Sequence, residues 1–363
     1  MNIDQAAVER AFGRTVSSYD VEPIDPELRI HSVTGGLFRV RADGETLVLK
    51  IVRRGVDHDP GGLWVSGADP SHRNYWKREW LAFDSGVLDA LPGRLRAPRR
   101  VLTEQVDDDE CWVWMSDVRG RHGPTLTDDD YRAIGRDLGT TQGSFVTAGE
   151  LPDDEWLARH WLRGWVGACE RFIDTLRQDS LPDDRLASLR PLRERVLALW
   201  DARERLLDIT ESAPQTLVHC DFWPANLFVA DDGHAVAIDW SQIGIGGLAQ
   251  DIDQITLDPV WMQVRPDFSL ERLEELVLPA YVDGLHEAGA EVTDAQVRWW
   301  YAAAAGLHYS WMAGAVVQAA QNRDVVAAQE ARFGRPFADL AADRARVVEH
   351  AVTLGESALG STP

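Results

Sequence analysis

Cysteine is scarce in this chain, and long apolar runs are missing. The three cysteines (Cys111, Cys169 and Cys220) lie far apart without metal-ligand spacing, which argues against a disulfide framework and indicates free thiols in a reducing compartment. No stretch approaches the roughly 20 apolar residues of a membrane span, and the amino terminus lacks a basic segment followed by an apolar one. We therefore expect a cytoplasmic protein that has no membrane partner.

Positive charge is also in short supply. The chain has 37 basic and 59 acidic side chains, a formal net charge of −22, which argues against nucleic acids and anionic membranes as partners. The charge suits a cationic substrate, but an acidic surface that maintains solubility explains it as well. The length of 363 residues predicts two domains or one large bilobal unit and leaves the oligomeric state open.

Lysine is the rarest cation of the chain. Only two of the 37 basic residues, Lys50 and Lys77, are lysines. Lys50 lies in a run rich in leucine and valine that begins at Glu45. The run follows a turn at 42–44, a pattern typical of a β-strand. A compact ammonium fits between phosphate oxygens where a guanidinium does not, so we favour a phosphate-binding role for Lys50. The alternative is an edge-strand lysine that discourages aggregation.

The most informative segment runs from His219 to Asn226 and reads His-Cys-Asp-Phe-Trp-Pro-Ala-Asn. Two short apolar runs follow it, separated by Asp-Asp-Gly at 231–233, and this pattern predicts a β-hairpin. Ile-Asp-Trp at 238–240 closes the second run. The hairpin would return Asp239 to the side of Asp221 and Asn226.

This arrangement is typical of phosphoryl transfer. In kinases, a loop Asp accepts the proton of the substrate hydroxyl, an Asn five residues later binds Mg²⁺, and an Asp after the next strand bridges metal and phosphates. Asp221, Asn226 and Asp239 have this order and spacing. A capped surface turn also uses Asp and Asn, but the flanking strands and the hairpin favour the catalytic interpretation.

Two further features flank the lysine strand. Gly35 and Gly36 are predicted to form a turn whose backbone N–H groups cover nucleotide phosphates, although a glycine pair alone is more often an ordinary hairpin turn. Residues 74–83 have apolar positions at helical spacing, and Glu79 in this segment would pair with Lys50. The alternative for Glu79 is an exposed helix residue.

Together these residues resemble the aminoglycoside phosphotransferase and choline kinase-like family, the small-molecule branch of the protein-kinase-like fold. The resemblance runs through most of the chain, by way of Gly35-Gly36, Lys50, Glu79, 111–117, 219–226, 238–240 and 247–251. It implies a bilobal α+β fold. A small antiparallel-sheet lobe over 1–116 would bind the nucleotide, and a larger, mainly helical lobe over 117–363 would carry the catalytic and substrate-binding residues. The Asp-Phe-Gly and Ala-Pro-Glu patterns of protein kinases are absent.

The resemblance also implies supporting roles. Asp251 would be the buried carboxylate that holds the catalytic loop through its backbone, and His219 would support the loop by a hydrogen bond. Backbone groups near Met115 and Val118 would meet the adenine edge. The family usually has glycine where this chain has Cys220, a departure that is tolerable if the backbone there is not left-handed.

Helical patterns are predicted at the chain positions 3–12, 153–165, 270–289, 294–321 and 335–356, the last followed by a frayed tail. In the family, helices at the middle positions flank the acceptor pocket, and their tryptophans would suit a sugar or a polycyclic alcohol. Core packing is the better interpretation of any single tryptophan, and His160 and His308 are interpreted as packing or surface residues. The long segment 54–74 is either a lid near the phosphates or an insert; its histidines, His58 and His72, together with the distant His31, lack metal spacing.

We therefore predict transfer of the γ-phosphoryl group of ATP to a hydroxyl of a small molecule, with Mg²⁺ held by Asn226 and Asp239. GTP is not excluded as the donor. An antibiotic is the first choice of acceptor, and a metabolic acceptor such as choline, homoserine or a hexosamine is the second. The alternative from another class is a catalytically silent nucleotide-binding regulator, against which the intact Lys50 and Asp221 argue.

Overall fold

The computed structural model describes residues 3–24, 33–55 and 63–362. In these ranges the chain forms a five-stranded antiparallel sheet and a mainly helical region, so the predicted α+β class is confirmed. His31, His58 and the middle of the 54–74 segment lie outside the described residues. No helix within the described ranges is long and apolar enough to cross a membrane.

The strands and helices of the described residues follow one another along the chain. The strands are β1 (Tyr19–Pro23), β2 (Thr34–Ala42), β3 (Glu45–Arg53), β4 (Arg100–Gln105), β5 (Glu110–Ser116), β6 (Arg121–His122), β7 (Ala158–Arg159), β8 (Gln215–Val218), β9 (Leu227–Val229), β10 (Ala235–Ala237) and β11 (Gly244–Gly247). The α-helices are α1 (Gln5–Phe12), α2 (Arg78–Asp84), α3 (Asp128–Ala148), α4 (Trp161–Gln178), α5 (Arg193–Asp201), α6 (Arg203–Glu211), α7 (Ile252–Trp261), α8 (Leu270–Glu287), α9 (Asp294–Tyr309), α10 (Met312–Ala320), α11 (Arg323–Phe333) and α12 (Phe337–Gly360).

The five-stranded sheet has the order β1-β2-β3-β5-β4, which places the lysine strand β3 at its centre. Asp43 and Gly44 join β2 to β3 with φ values of 48° and 85°, and two successive positive φ angles match the twist of a two-residue hairpin. Residues 47–52 are buried because both faces of the central strand are covered. The strand and the turn predicted from the sequence are therefore confirmed, and the edge-strand alternative for Lys50 is wrong.

Helix α1 begins where Asp4 accepts a hydrogen bond from the backbone N–H of Ala7, as expected of an N-cap carboxylate. The helix ends at Gly13, which has the left-handed conformation that glycine adopts without strain. Its apolar face packs on one side of the sheet with residues such as Val40 and Trp114. The predicted helix over 3–12 is confirmed.

Helix α2 begins at Arg78, four residues later than the pattern over 74–83 predicted. The preceding residues follow another course because Tyr75 forms an isolated β-bridge with Gly67. The buried Arg78 guanidinium donates hydrogen bonds to the backbone carbonyls of His72, Arg73 and Trp156. These bonds hold the segment before the helix in a turn.

The helical region differs from the sequence predictions at three places. Residues 153–159 form turns and the short strand β7, so the helix predicted over 153–165 begins only at Trp161. The segment 294–321 is two helices, α9 and α10, separated at Ser310 and Trp311. The tail predicted to fray after residue 356 continues α12 to Gly360. The hairpin β9–β10 is where the sequence predicted it.

Helices α3 and α8 pack closely because glycines lie at their crossing. A Cβ atom at Gly139 would come 2.2 Å from the backbone oxygen of Tyr281, and one at Gly284 would come 2.3 Å from that of Arg136. Backbone atoms cannot turn aside as a flexible side chain can. The close contact holds Tyr281 beside Gln142, and the Tyr281 hydroxyl donates a hydrogen bond to the side-chain oxygen of Gln142.

Replacing Gly139 with alanine should lower the free energy of unfolding by about 2–3 kcal/mol, because the added methyl group forces α3 away from α8. Gly167→Ala is the matched control, since a Cβ atom at this exposed position of α4 has no other group within 4 Å. The control should stabilise the protein by about 0.5–1 kcal/mol through helix propensity. Urea unfolding of both variants measures the difference, and equal stabilities would contradict the proposed close packing.

Candidate active site

The loop from His219 to Asn226 follows strand β8 and is held by the first turn of α7. The carboxylate of Asp251 accepts hydrogen bonds from the backbone N–H groups of His219 at 2.9 Å and Cys220 at 2.8 Å. The side-chain amide of Gln142 donates a third bond to Asp251 at 3.0 Å. Burial raises the pKa of Asp251 to about 6, and the backbone N–H donors of His219 and Cys220 limit that rise.

A second brace, which the sequence analysis missed, comes from Gln254. Its side-chain oxygen accepts a hydrogen bond from the backbone N–H of Phe222 at 2.6 Å, and its amide donates to the carbonyl of Cys220 at 3.2 Å. Asp251 and Gln254 are three residues apart, so they lie on the same face at the start of α7. The three-residue spacing of Asp251 and Gln254 was visible in the sequence. It indicates a shared contact with the loop only when α7 is known to lie against that loop.

The backbone at Cys220 is left-handed, with φ of 61°. The condition under which cysteine was expected to replace glycine without strain, a backbone that is not left-handed, is therefore not met. The left-handed conformation costs a residue with a Cβ atom about 1–2 kcal/mol. The hydrogen bonds to Asp251 and Gln254 and the burial of the thiol, which is 3% exposed, hold the residue there.

The predicted site residues Asp221 and Asn226 are in direct contact. The side-chain amide of Asn226 donates to the Asp221 carboxylate at 2.7 Å and to the Asp221 backbone oxygen at 3.0 Å. Both N–H groups of Asn226 are thus directed at Asp221. The side-chain carbonyl oxygen of Asn226 remains available to a cation.

His219 lies behind the loop as a support. Its Nε2 is 3.0 Å from the backbone oxygen of Ile238, and its Nδ1 accepts a hydrogen bond from the backbone N–H of Asp221 at 3.2 Å. Burial lowers the pKa of His219 to about 4, so the imidazole is neutral near pH 7. The ring therefore ties the loop to the strand that leads to Asp239 without carrying charge.

Asp239 and Glu79 meet at Lys50. The Lys50 ammonium lies 2.6 Å from a carboxylate oxygen of Glu79 and 2.9 Å from one of Asp239. Burial opposes the charged form of Lys50, but the carboxylates of Asp239 and Glu79 outweigh it and raise the pKa of Lys50. Burial also raises the pKa of Glu79 to about 7, which opposes the charged pair, but the 2.6 Å contact favours the ionised form. The predicted pairing of Lys50 with Glu79 is confirmed.

The carboxylate of Asp221 lies in an environment that disfavours its charge. Its removal from solvent and the negative charges of Asp239 and Asp258 raise its pKa to about 8, while the Asn226 amide and Lys50 act in the opposite direction. A cation bound beside Asp239 would relieve this repulsion.

The two glycines before the lysine strand are not in a turn. Both belong to β2, where the pairing with β3 shifts register between Thr34 and Gly36 and leaves Gly35 in a bulge. A Cβ atom at Gly36 would come 2.5 Å from the ring of Phe38. The turn predicted at Gly35-Gly36 was therefore wrong in form, although the pair does lie just before the lysine strand.

The segment expected to meet adenine continues the sheet into the helical region. Met115 is buried in β5, and Val118 is half-buried in the irregular stretch that follows. Between them, Asp117 forms an ion pair at 2.9 Å with Arg39 of β2. The pair joins the exit of the sheet to the strand that carries the two glycines.

A cavity of about 270 Å³ opens beside Asp221. Its walls are unusually rich in tryptophan, and six of the lining residues are Trp64, Trp161, Trp165, Trp223, Trp261 and Trp311. The indoles of Trp161 and Trp165 are stacked with centroids 5.3 Å apart. Trp299 and Trp300, which lie within the predicted helical segment 294–321, are not among the lining residues. They lie elsewhere, and the Trp299 N–H donates to the carbonyl of Ala358.

His308 lines the same cavity as a buried packing residue, and its ring lies edge-on to Trp161 and Trp165 with centroids 5.7 Å from each. Its Nδ1 lies 3.1 Å from the carboxylate of Asp253, and both side chains are buried. Burial opposes the charge of His308, but Asp253 outweighs it and raises the pKa of the imidazole. The sequence offered no sign of this pair because its two members are 55 positions apart. His160, by contrast, lies outside this cavity.

Replacing Asp251 with asparagine should lower the free energy of unfolding by about 2–4 kcal/mol, because an amide N–H₂ would face backbone N–H donors in a buried site. Asp283→Asn is the control, since Asp283 is exposed on α8, and it should change stability by less than about 0.5 kcal/mol. Urea unfolding measures both. A variant at Asp251 as stable as the control would show that the carboxylate does not hold the loop.

Residues 36–300 match the model of the phosphotransferase enzyme family named APH. A search of curated protein sequences gives no match. Among solved structures, an aminoglycoside phosphotransferase from Alicyclobacillus acidocaldarius is 12% identical with a TM-score of 0.60, and the alignment covers 99% of this chain and 98% of that one.

Two further structures share the fold. The spectinomycin phosphotransferase APH(9)-Ia in complex with ADP and spectinomycin is 14% identical with a TM-score of 0.54, over 94% of this chain and 98% of that one. An amicoumacin kinase is 16% identical with a TM-score of 0.53, over 88% of each chain. These likenesses show the bilobal, protein-kinase-like fold. The family match covers well over half of the sequence, and the chain therefore belongs to the APH phosphotransferase family of small-molecule kinases.

Proposed function

We propose that this protein transfers the γ-phosphoryl group of ATP to a hydroxyl of a small molecule. The observation that supports this most is the convergence of Lys50, Asp221, Asn226 and Asp239 at one site. Phosphoryl transfer through a loose transition state needs positioned charges more than covalent chemistry, and these residues supply them.

In this proposal Asp221 orients the acceptor hydroxyl and takes its proton. The carboxylate lines the cavity, so an acceptor bound there would present its hydroxyl to it. Asn226 fixes the carboxylate by its short hydrogen bond. His219 and Asp251 position the loop and do not exchange protons with the acceptor, since one is neutral and the other is enclosed by backbone N–H donors.

The oxygen donors at the site fit Mg²⁺. Magnesium prefers oxygen ligands, and kinases hold it by one or two protein groups together with the phosphates. The carbonyl oxygen of Asn226 and the carboxylate of Asp239 are such groups, whereas the described residues contain no cluster of three His, Cys, Asp or Glu side chains that would form an all-protein site. Bound Mg²⁺ would neutralise charge on the phosphates.

The nucleotide would lie between the sheet and the catalytic loop. Lys50, oriented by Glu79, would hold the α- and β-phosphates, and the bulged backbone at Gly35 and Gly36 would cover them. Backbone groups near Met115 and Val118 would meet adenine, or guanine if GTP is the donor. This assignment divides the chain into a nucleotide-binding lobe, 1–116, and a catalytic lobe, 117–363.

We infer that the acceptor is an antibiotic and that the protein is a cytoplasmic resistance enzyme. The cavity beside Asp221 supports a ring-containing acceptor, because flat indole walls favour contact with rings. Two structures with the same fold are described as a spectinomycin phosphotransferase and an amicoumacin kinase.

Mass spectrometry of a compound panel tests the proposal. The protein is incubated with ATP and Mg²⁺ and with aminoglycosides, peptide and nucleoside antibiotics, amino sugars, choline and homoserine. We expect one compound to gain one phosphate. Asp221→Asn should bind nucleotide but transfer at least about 10²-fold more slowly, because the group that takes the proton is gone. Near-normal turnover by this variant would refute the role of Asp221. Nucleotide binding without any phosphorylated compound would favour a silent regulator.

The two lysines of the chain provide a matched pair of variants. Lys50→Arg should reduce phosphoryl transfer by about 10²-fold or more, because the buried space between Glu79 and Asp239 fits an ammonium and not a guanidinium. Lys77→Arg should leave the rate unchanged, since this residue contacts Gln105 on the surface. Steady-state rates and nucleotide affinities measure both effects. Equal rates for the two variants would remove Lys50 from the phosphate site.

A further inference from the structure

The segment between the lysine strand β3 and the helix α2 passes the cavity beside Asp221. Its described part is residues 63–77, here termed the strap. Leu63 and Trp64, at the start of the strap, line the cavity. One continuous segment therefore supplies part of the cavity wall and leads directly into the helix that carries Glu79.

Hydrogen bonds within the strap connect its two ends. The backbone N–H of Gly67 donates to the carbonyl of Asn74 at 2.9 Å, and the N–H of Trp76 donates to the carbonyl of Gly67 at 3.1 Å. The guanidinium of Arg73 donates to the carbonyl of Leu63. The residues at the cavity are thus tied to the residues that precede α2.

The strap also packs on helix α4, which belongs to the helical region. The indole of Trp64 lies against that of Trp165, with ring centroids 4.9 Å apart. The guanidinium of Arg73 lies 5.6 Å from the centroid of the same Trp165 ring, a position in which the face of an indole attracts a cation. Trp165 itself lines the cavity, so the strap rests on the opposite part of the cavity wall.

The fully buried Arg78 fixes the strap at its other end. Its guanidinium donates to three carbonyls of the strap, those of Pro70 at 3.4 Å, His72 at 2.8 Å and Arg73 at 2.6 Å, and to the carbonyl of Trp156 at 2.9 Å. Burial lowers the pKa of Arg78 to about 10, so the group remains charged near pH 7. Hydrogen bonds from a charged donor are stronger than neutral ones, and the planar guanidinium directs them in fixed directions.

Arg78 and Glu79 are consecutive residues of α2, so their side chains project about 100° apart around the helix. Arg78 meets the strap and Trp156, while Glu79 meets Lys50 at 2.6 Å. Helix α2 has only seven residues, and a shift of so short a helix displaces both side chains together. The contacts of the strap and the contact with Lys50 are therefore mechanically connected.

We propose that Arg78 is a positioning residue that couples the acceptor cavity to the nucleotide site by holding the strap and α2 in one docked arrangement. This proposal rests on the phosphotransferase function proposed above. In the docked arrangement Trp64 forms its part of the cavity wall and Glu79 orients Lys50. When the strap leaves Trp165, both contacts weaken. A nucleotide held by Lys50 favours the docked arrangement, and docking of the strap favours the nucleotide to the same extent, because coupling between binding equilibria is reciprocal.

Hydrogen exchange of the native protein tests the coupling without any acceptor. Exchange is measured by mass spectrometry with and without AMP-PNP and Mg²⁺. The hydrogen-bonded amides of Gly67, His72 and Trp76 should exchange about fivefold more slowly with nucleotide, because opening of the strap then weakens nucleotide contacts as well. Residues 181–192 line no part of the cavity and should exchange at an unchanged rate.

The outcomes separate the coupling from the proposed reaction. Unchanged exchange of the strap in the presence of bound AMP-PNP would overturn the coupling and leave the phosphotransferase function intact. Failure of AMP-PNP to bind at all would overturn the proposed function and the coupling with it.

A double-mutant cycle distinguishes positioning by Arg78 from a direct contact between the strap and the nucleotide. The affinity for AMP-PNP with Mg²⁺ is measured by calorimetry for Trp64→Leu, Arg78→Lys and the double variant. Each single change should weaken binding about fivefold, because each releases the strap. The double variant should bind no more weakly than the weaker single variant, since both changes remove the same docked arrangement.

Trp299→Leu is the matched control, because Trp299 is a half-buried tryptophan of α9 outside the cavity, and its affinity should equal that of the native protein. Circular dichroism verifies folding. Additive losses in the double variant, or native affinity in a folded Arg78→Lys variant, would overturn the role of Arg78. If Arg78→Lys does not fold, Trp64→Leu decides, and native nucleotide affinity in this variant would contradict the coupling.

Discussion

The carboxylate of Asp251 is the contact on which the rest of the site depends. It accepts hydrogen bonds from the backbone N–H groups of His219 and Cys220, so the loop from His219 to Asn226 begins in one orientation. Gln142 links this carboxylate to Tyr281, whose backbone lies against Gly139. The close crossing of α3 and α8 is therefore connected to the loop through an unbroken series of hydrogen bonds. A buried network of this kind is favourable because nearly every donor in it has an acceptor.

Lys50 and Asp221 differ in the groups that meet their charge. The Lys50 ammonium lies within 3 Å of two carboxylates, while the Asp221 carboxylate is held by an uncharged amide, and burial together with Asp239 and Asp258 raises its pKa. The excess of negative charge around Asp221 favours the binding of a cation at this site. In the proposed function the cation is Mg²⁺ beside Asp239.

Local patterns in the sequence predicted a large part of this arrangement. The apolar run at Lys50, the turn before it and the hairpin after Asn226 are short-range features, and the structure has all three. Prediction was weaker where distant contacts override local preference. Residues 74–77 have helical spacing, yet the carbonyl contacts of Arg78 and the bridge at Tyr75 keep them out of α2. Helix α4 begins at Trp161, later than predicted, because Ala158 and Arg159 before it pair with β11.

The sequence by itself determined the identity and order of the groups proposed for phosphoryl transfer, because their spacing along a loop and a hairpin is a property of the local chain. It also predicted the strand that holds Lys50, whereas the central position of this strand became known only from the order of the sheet. Only the tertiary structure decided which groups share the acceptor cavity. His308 and Asp253 are far apart in sequence, and Asp258 lies on a helix whose pattern shows nothing of the cavity. The left-handed backbone at Cys220 was likewise decided by the folded environment, since hydrogen bonds to Asp251 and Gln254 outweigh the local preference of the residue.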